Sequence, residues 1–315
     1  MDKISTINSP IVSIFVCTYN QEKYIEETLN SFLSQKCDFT FEIIIADDCS
    51  KDSTLEICQH YQKSNKEIIK IISRKKNLGL IKNFFTGIIF CQGKYIAMCG
   101  GDDYWTDSLK LQKQISFLEQ NSDYVISYGD SLMINEKGFK ISDSEVGTEN
   151  LKNFSKEELQ KGAFISTRTM CFRNIIDFET VNYKGITQED AFIISLLGEY
   201  GKGKYLKEIK PSVYRILEKG IWSSQNEIER LKSSLKTFSV LKKIYEKKNN
   251  DKLRVYYHRK CIKNNNRILY LSINKKLTKQ VLSSYILSLK QLKNIEELVT
   301  LNKTVLKYFI NYFKI

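Results

Sequence analysis

The chain has 315 residues, 42% of them hydrophobic and 27% charged, with a formal net charge of +13. This is the composition of a globular protein with one large domain or a domain plus an appendage, and two prolines exclude a proline-rich linker. No run of roughly 18 apolar residues occurs, so we expect no membrane-spanning segment. The opening MDKISTINSP lacks the apolar core of a secretory signal, and we expect none there.

The positive charge is concentrated in the last third of the chain. Residues 225–315 contain 21 Lys+Arg and 6 Asp+Glu, which leaves a net charge of −2 for residues 1–224. Such a region could meet an anionic membrane, an anionic glycan or a nucleic acid, although a solvated helical surface explains it equally well. The eight cysteines lack C-x-x-C spacing, which favours reduced thiols in a cytosolic protein over disulfides or a zinc site.

Strand and helix patterns alternate four times in the first part of the chain. Continuous apolar runs such as IVSIFVCTYN predict buried strands, and apolar residues at helical spacing follow each of them. The predicted strands cover residues 11–20, 41–50, 67–73 and 94–99, and the predicted helices cover 22–35, 52–64, 77–92 and 108–121. This alternation predicts an α/β fold with a mostly parallel sheet and helices on both faces.

The pattern is looser in the second half of the chain. An apolar segment over 124–135 is followed by a polar stretch to about residue 162. The later predicted elements are a strand over 163–174, a helix over 188–200, extended segments over 202–217 and basic helices from 226 onward. The final TVLKYFINYFKI, residues 304–315, mixes apolar residues with lysines, as either a membrane-surface helix or a packed helix would.

Polar residues follow each of the four predicted parallel strands. They are Thr18 to Asn20, Asp47 and Asp48, Arg74 to Asn77, and Gly100 to Asp103. Ligands bind at the carboxyl ends of strands in open parallel sheets, so these residues should meet at one edge. Their carboxylates could hold a hard divalent cation together with phosphate oxygens. Asp47 and Asp48 could instead begin a turn, whereas the glycines beside Asp102 and Asp103 favour close approach of a ligand.

Several chemistries are excluded by what the chain lacks. It contains neither G-x-G-x-x-G after the first strand nor G-x-x-x-x-G-K-[ST], which argues against dinucleotide oxidoreductases and P-loop NTPases. The two histidines, His60 and His258, lie in predicted helices away from the strand ends, so any general base should be a carboxylate. Glu189 and Asp190, at the start of a predicted helix, are candidates, although acids are also common there because they stabilise the helix dipole.

A set of motifs in chain order resembles an inverting family 2 glycosyltransferase with the GT-A fold. The motifs are VSIFVCTYNQEKYIEETLNSFLSQ, EIIIADDCSKDST, NLGLIKNF, KYIAMCGGDDYWTDSLKLQKQISFLEQN, STRTMCFR, QED and YRILEKGIWS. The resemblance covers about residues 10–224. It implies a GT-A glycosyltransferase domain over 1–224, with a nucleotide-sugar site at the carboxyl ends of the strands, followed by a basic helical C-terminal region over 225–315.

The resemblance also implies roles for individual residues. The donor nucleotide sugar would bind Thr18, Tyr19, Glu22, Asp47, Asn77, Lys82 and Asp102. Asp190 matches the family's catalytic base. The acceptor and sugar region would include Asp103, Trp105, Glu189 and Trp222. Asp102 and Asp103 match the last acids of the D-x-D region and would ligate Mn²⁺ or Mg²⁺ at the diphosphate.

Two departures from the family pattern bear on that cation. Gly100 stands where related sequences usually carry the first acid of the D-x-D, and Leu217 stands where they often carry a histidine. The cation site could therefore have fewer protein ligands, with diphosphate and water completing its shell. Arg215 and nearby lysines could instead share the charge of the diphosphate.

The resemblance implies a hexosyl- or N-acetylhexosaminyl-transferase of bacterial surface-polysaccharide biosynthesis. It would act on a glycan or lipid-linked acceptor hydroxyl, with a UDP-sugar favoured as donor, in the cytoplasm or on the inner face of the cell membrane. A catalytically weak nucleotide-sugar-binding homologue is the alternative suggested by Gly100 and Leu217. We expect no nucleic-acid partner, because the basic residues accompany no recognition motif.

Overall fold

The structure is a computed structural model that describes residues 9–274 and 277–291. The predicted amphipathic segment over 304–315 lies outside the described residues. Two compact units are present, one formed by 1–183 with 189–218 and the other by 184–188 with 219–315, as far as these are described. None of the described helices is long and apolar enough to cross a membrane.

A sheet of seven strands forms the centre of the first unit, in the order β3-β2-β1-β4-β8-β5-β9. Its parallel half consists of β1 (Val12–Thr18), β2 (Phe41–Asp47), β3 (Ile69–Ser73) and β4 (Tyr95–Gly100). The helices between and after these strands are α1 (Ile25–Leu33), α2 (Thr54–Ser64), α3 (Leu80–Ile88) and α4 (Lys110–Gln120). The predicted α/β fold with a mostly parallel sheet is thereby confirmed.

The pairing register brings the strand ends together. Thr18 pairs with Asp47 across β1 and β2, and Cys17 pairs with Gly100 across β1 and β4. Loops that leave these three strands therefore begin at the same edge of the sheet. The functional residues predicted after the strands follow this edge because all three strands run in the same direction.

The other half of the sheet contains β5 (Tyr124–Tyr128), β8 (Cys171–Arg173) and β9 (Lys202–Tyr205). β8 is inserted antiparallel between β4 and β5. The prediction of a strand over 163–174 is wrong for most of that segment. Only Cys171–Arg173 pairs in the sheet, and Thr167–Thr169 forms a 3-10 turn. Short helices α5 (Lys156–Gln160) and α6 (Glu189–Leu197) flank this half.

A small second sheet lies in the same unit. It contains β6 (Ser131–Asn135), β7 (Lys140–Ser142) and β10 (Ser212–Ile216), in the order β10-β6-β7. β10 is joined to the loop after β4, since Tyr104 and Val213 exchange two backbone hydrogen bonds. This bridge holds the second sheet against the residues that follow β4.

The core of the main sheet follows from the apolar patterns of its elements. Six of the seven residues of β1 are buried, as expected for a strand covered on both faces. Helix α1 places Ile25, Leu29 and Phe32 on one face, and all three are fully buried. Each such side chain stabilises the fold by about 1.5–3 kcal/mol relative to its exposed state.

The described part of the second unit contains the helices α7 (Glu227–Lys247), α8 (Asp251–Asn274) and α9 (Thr278–Gln291). A capping box of Asn226 and Glu229 begins α7, where it satisfies amide groups that the helix leaves without partners. Tyr245 of α7 stacks on Tyr257 of α8 with ring centroids 5.8 Å apart. The segment 184–188 belongs to this unit, and the Thr187 hydroxyl donates a hydrogen bond to the Ser233 carbonyl.

Candidate functional site

The loops after β1 and β2 are joined by hydrogen bonds in both directions. The Lys51 amide donates to the Asn20 side chain, and the Gln21 amide donates to the Thr54 hydroxyl. The Glu22 carboxylate accepts from the Ser53 amide at 2.8 Å. Glu22, predicted as a donor ligand, thus joins the two loops.

Asp47 and Asp48 are buried and point to different partners. Both carboxylate oxygens of Asp47 accept hydrogen bonds from Ser50, one from the amide and one from the hydroxyl. Those of Asp48 accept from the amides of Leu78 and Gly79, at 2.7 and 2.9 Å. Asp48 therefore anchors the loop before α3, which supports the interpretation of this acid as a structural residue.

Gly101 lies against two polar side chains from the loop after β1. A Cβ atom at this position would lie 2.4 Å from Gln21 Oε1 and 3.1 Å from Thr18 Oγ1, so only glycine fits without displacement. Both oxygens are buried and have no hydrogen-bond partner among the described residues. They are hydrogen-bonding groups at the strand edge that a bound ligand could satisfy.

Asp102 and Asp103 are adjacent in sequence but differ in their surroundings. Asp102 is partly exposed, and burial together with the Asp103 charge raises the pKa of its carboxyl to about 7. Asp103 is buried, and both of its oxygens are engaged: one accepts from Arg168 Nε at 2.7 Å and the other from the Arg215 amide at 2.9 Å. Asp102 is therefore the carboxylate of this pair that remains available to a ligand.

Two arginines bond to the residues after β4: Arg168, to which the sequence analysis gave no role, and Arg215, which it named only as a possible partner of the diphosphate. Arg168 pairs with both Asp103 and Glu145, which hold its guanidinium as a cation although it is buried. Arg215 donates to the Asp102 carbonyl at 3.3 Å and pairs with Glu27 at 2.6 Å. The STRTMCFR and YRILEKGIWS motifs contained both residues, but no spacing pattern indicated that their partners follow β4.

Glu189 and Asp190 are the first two residues of α6. Burial raises the pKa of both carboxyls, that of Glu189 to about 8 with a further contribution from the Asp190 charge. The Asp190 carboxylate is close enough to Glu145 and Arg168 for their charges to act on it. Glu189 likewise acts on the Cys17 thiol near the end of β1. The structure therefore brings this acidic pair near the residues after β1 and β4.

The remaining predicted residues differ in their exposure. Tyr19, Asn77 and Lys82 are exposed on the loops after β1 and β3 and on α3. Trp105 is a correction: it is a core residue, 4% exposed, whose indole N–H donates to the Arg168 carbonyl, so it has no surface toward a sugar. Trp222 belongs to the second unit, where it is exposed and Arg230 lies over its ring at 5.5 Å.

The residues present fit a divalent cation only in a limited way. Within residues 9–274 and 277–291, no cluster of three or more His, Cys, Asp or Glu side chains suits a metal. Asp103 is committed to two arginines, and Gly100 offers no side chain. Asp102 remains as one hard oxygen ligand, which suits a cation that takes its other ligands from a diphosphate and water.

The family follows from comparison with known proteins. The family model described as "Glycosyl transferase family 2" matches residues 13–177, more than half of the chain. The chain belongs to this family. The matched segment contains the strand ends described above, from Thr18 to Asp103, and the Arg168 turn.

Several relatives match part of the chain. An uncharacterised protein of Mycobacterium tuberculosis is 33% identical over 214 residues, which cover 68% of this chain and 61% of that protein. The poly(ribitol-phosphate) beta-N-acetylglucosaminyltransferase TarS of Staphylococcus aureus is 32% identical over 128 residues, 40% of this chain and 21% of TarS. The chain thus spans less than two thirds of the length of these relatives.

Solved structures show the same GT-A fold. A fragment of S. aureus TarS, residues 1–349, in complex with UDP-GlcNAc matches with a TM-score of 0.56 and 20% identity, covering 73% of this chain and 65% of the fragment. The mannosyltransferase PcManGT of Pyrobaculum calidifontis, in complex with GDP-Man and Mn²⁺, matches with a TM-score of 0.56 and 12% identity. That second match covers 98% of this chain and 83% of PcManGT. These likenesses support the GT-A fold for this chain.

Proposed function

We propose that this family 2 glycosyltransferase transfers a hexosyl or N-acetylhexosaminyl group from a UDP-sugar to an acceptor hydroxyl, with inversion at the anomeric carbon. The observation that carries the proposal is that the charge of Arg168 acts on both Asp102, which follows β4, and Asp190, which begins α6. The solved TarS fragment, which shares the fold, was crystallised with UDP-GlcNAc, and this supports a UDP-sugar as donor.

The donor side would use the residues at the ends of β1, β2 and β4. Asp47 and the loop from Thr18 to Glu22 would hold the nucleotide, with Asn77 and Lys82 toward the ribose and diphosphate. The Thr18 hydroxyl and the Gln21 side-chain oxygen, both buried without partners in the described chain, are groups that the ligand would satisfy. Gly101 lets the ligand approach them closely.

Asp190 would act as the general base. It removes the proton of the acceptor hydroxyl while that oxygen attacks the anomeric carbon, and the bond from this carbon to the diphosphate breaks with its electron pair leaving on the nucleotide. Attack and departure occur on opposite faces, so one displacement inverts the anomeric configuration. Burial raises the pKa of Asp190, which makes the carboxylate a stronger base than a solvated aspartate.

A divalent cation, Mn²⁺ or Mg²⁺, would be held by Asp102 and by the diphosphate itself. When bound, it would supply positive charge that neutralises the leaving nucleoside diphosphate. We do not propose Asp103 as a cation ligand, because its two carboxylate oxygens accept hydrogen bonds from Arg168 and Arg215. With one protein carboxylate, we expect a weak cation affinity in the absence of nucleotide.

The experiment that tests this function has two stages. Thermal shift with UDP-, GDP- and dTDP-sugars, with and without Mn²⁺, selects the donor, and release of the nucleoside diphosphate measures turnover. Asp190→Asn should lower turnover by at least about 100-fold, within the usual range for a general base. Its nucleotide affinity should stay within about threefold of the wild type, because Asp190 lies on the acceptor side. Asp177→Asn, on an exposed turn, is the matched control.

Two outcomes would refute the proposal. One is the absence of stabilisation by every sugar in the panel. The other is full turnover in Asp190→Asn, which would remove the carboxylate base from the mechanism. A protein that binds a nucleotide sugar tightly but releases no product would instead support the second candidate, a catalytically weak nucleotide-sugar-binding homologue, which Gly100 and the engaged Asp103 favour.

The acceptor would be a glycan or a lipid-linked glycan of bacterial surface polysaccharide, met in the cytoplasm or at the inner face of the cell membrane. An observation in the second unit supports a membrane contact. Helix α9 buries Ser284 and Ser288 against Asn265 of α8 and leaves Leu282 and Ile286 exposed. Exposed apolar side chains on the surface of a basic helical unit are suited to contact with an anionic lipid surface.

Vesicle co-sedimentation tests the membrane contact. The wild type should bind vesicles that contain 30% phosphatidylglycerol but not vesicles of pure phosphatidylcholine. Binding to the anionic vesicles should weaken in 0.5 M salt. Replacing Leu282 and Ile286 with serine should reduce binding at least fivefold. The same replacement of Phe139 and Ile141, exposed apolar residues of the first unit, is the control and should change little. Equal binding by both double variants would contradict this contact.

A further inference from the structure

Arg168 joins three separate segments of the first unit. Its Nε donates to Asp103 after β4, and its Nη1 donates to Glu145 in the loop after β7 and to the Ser166 hydroxyl at 2.6 Å. The guanidinium carbon lies 3.9 Å from the centre of the Tyr214 ring in β10. A planar guanidinium that binds two carboxylates and stacks on an aromatic ring has little freedom to move.

The main chain of Arg168 is held as firmly as its side chain. Its carbonyl accepts hydrogen bonds from the Trp105 indole at 2.8 Å and from the Ser212 hydroxyl at 3.4 Å. Gln114 of α4 donates to the carbonyl of the next residue, Thr169, at 2.9 Å. A buried residue whose guanidinium and main chain are both held keeps the loops that it contacts at a fixed spacing.

Asp103 extends this network to the donor side of the site. Its second oxygen accepts from the Arg215 amide, and the Arg215 side chain reaches the Asp102 carbonyl and Glu27. On the other side, the charges of Arg168 and Glu145 act on the Asp190 carboxylate. Arg168 thus bonds directly to the residue beside the donor-side carboxylate, and its charge acts on the carboxylate assigned to the acceptor.

We propose that Arg168 is a positioning residue that sets the spacing between Asp102 on the donor side and Asp190 on the acceptor side. This inference rests on the proposed function, in which these two carboxylates serve the two substrates. Arg168 acts through Asp103 and Glu145 and itself binds neither substrate. The geometry matters because a misplacement of about 1 Å can cost a reaction 100-fold in rate.

The test compares Arg168→Gln with Arg173→Gln. Arg173 is a matched control because it follows the same turn, pairs with Tyr95 at the opposite end of β4, and donates hydrogen bonds to four neighbouring groups. Arg168→Gln should lower kcat about 100-fold while the Kd for UDP and the KM for the donor change less than threefold. Arg168→Lys keeps the positive charge but not the forked geometry of the guanidinium, so its kcat should be about tenfold higher than that of Arg168→Gln. Arg173→Gln should lower stability but leave kcat within threefold.

Crystal structures of the wild type and of Arg168→Gln with UDP supply a second measurement that needs no acceptor. The distance between the Asp102 and Asp190 carboxylates should change by at least 1 Å in the variant. An unchanged distance, or a kcat loss matched by Arg173→Gln, would overturn the inference. If Arg168→Gln does not fold, Glu145→Gln takes its place in both measurements. Full turnover in Asp190→Asn would instead refute the proposed function, so the two failures are distinguishable.

Discussion

Asp48 allows the structural and functional roles of the Asp47–Asp48 pair to be separated. Its carboxylate oxygens accept hydrogen bonds from the Leu78 and Gly79 amides, at 2.7 and 2.9 Å, and the side chain is 4% exposed. Asp48→Ala removes both of these hydrogen bonds from the loop before α3, while the Gly79 amide keeps the Asn77 side-chain oxygen as an acceptor at 3.0 Å. The Asp47 carboxylate accepts hydrogen bonds from Ser50 in its own turn, so it should remain in place in this variant.

The magnitude follows from these two hydrogen bonds. A hydrogen bond to a charged group contributes about 1.5–3 kcal/mol, but the two amides lie at a partly exposed loop and can recover water, so we expect a total loss of about 2–4 kcal/mol. For a unit of this size, 1 kcal/mol shifts Tm by roughly 2–4 °C, which places the expected decrease at roughly 4–16 °C. Asn77 lies in the same loop, so UDP affinity should fall about tenfold.

The assay is thermal unfolding followed by circular dichroism, with UDP affinity measured by calorimetry below the transition. Asp143→Ala is the control, because this acid is 88% exposed and forms a surface ion pair with Lys140. Such pairs contribute about 0–1 kcal/mol, so its Tm should change by less than about 3 °C. A Tm for Asp48→Ala equal to that of the control would refute the reasoning, since it would show that the two hydrogen bonds do not anchor the loop.

Three further predictions concern packing and pH. A Cβ atom at Gly87 would lie 2.9 Å from Ala46 Cβ and 3.1 Å from the Phe15 ring, so Gly87→Ala should lose about 1–3 kcal/mol in urea unfolding despite its better helix propensity. Burial raises the pKa of Glu189 to about 8, above its unfolded value, so the folded protein binds more protons and loses stability as pH rises toward 8. The Tm advantage of Glu189→Gln over the wild type should therefore grow from pH 5 to pH 8, and a constant advantage would contradict this. Leu241→Ala, at a fully buried position of α7, should cost about 2–5 kcal/mol in the unfolding of the second unit, whereas a loss below 1 kcal/mol would show a poorly packed helix pair.

The sequence by itself determined the parallel half of the first unit. Apolar runs in alternation with helical patterns are local signals, and they predicted four strands and four helices in the correct order. The edge of the sheet followed from the same information, because parallel strands begin and end on the same sides. Thr18, Asp47 and Gly100 could therefore be placed together before any contact was known, as their register confirms. The position of the Glu189–Asp190 pair beside this edge was not determined in that way.

The tertiary structure alone decided how the acids are used. Asp103 takes its partners from Arg168 and Arg215, which lie 65 and 112 residues further along the chain. Trp105, predicted near a sugar, packs in the core instead and holds the Arg168 carbonyl. Periodic apolar patterns predict elements because each element buries a face, whereas a buried ion pair depends on which distant loops meet. No local pattern encodes that meeting, so the availability of Asp102 and the engagement of Asp103 emerge only when the chain is folded.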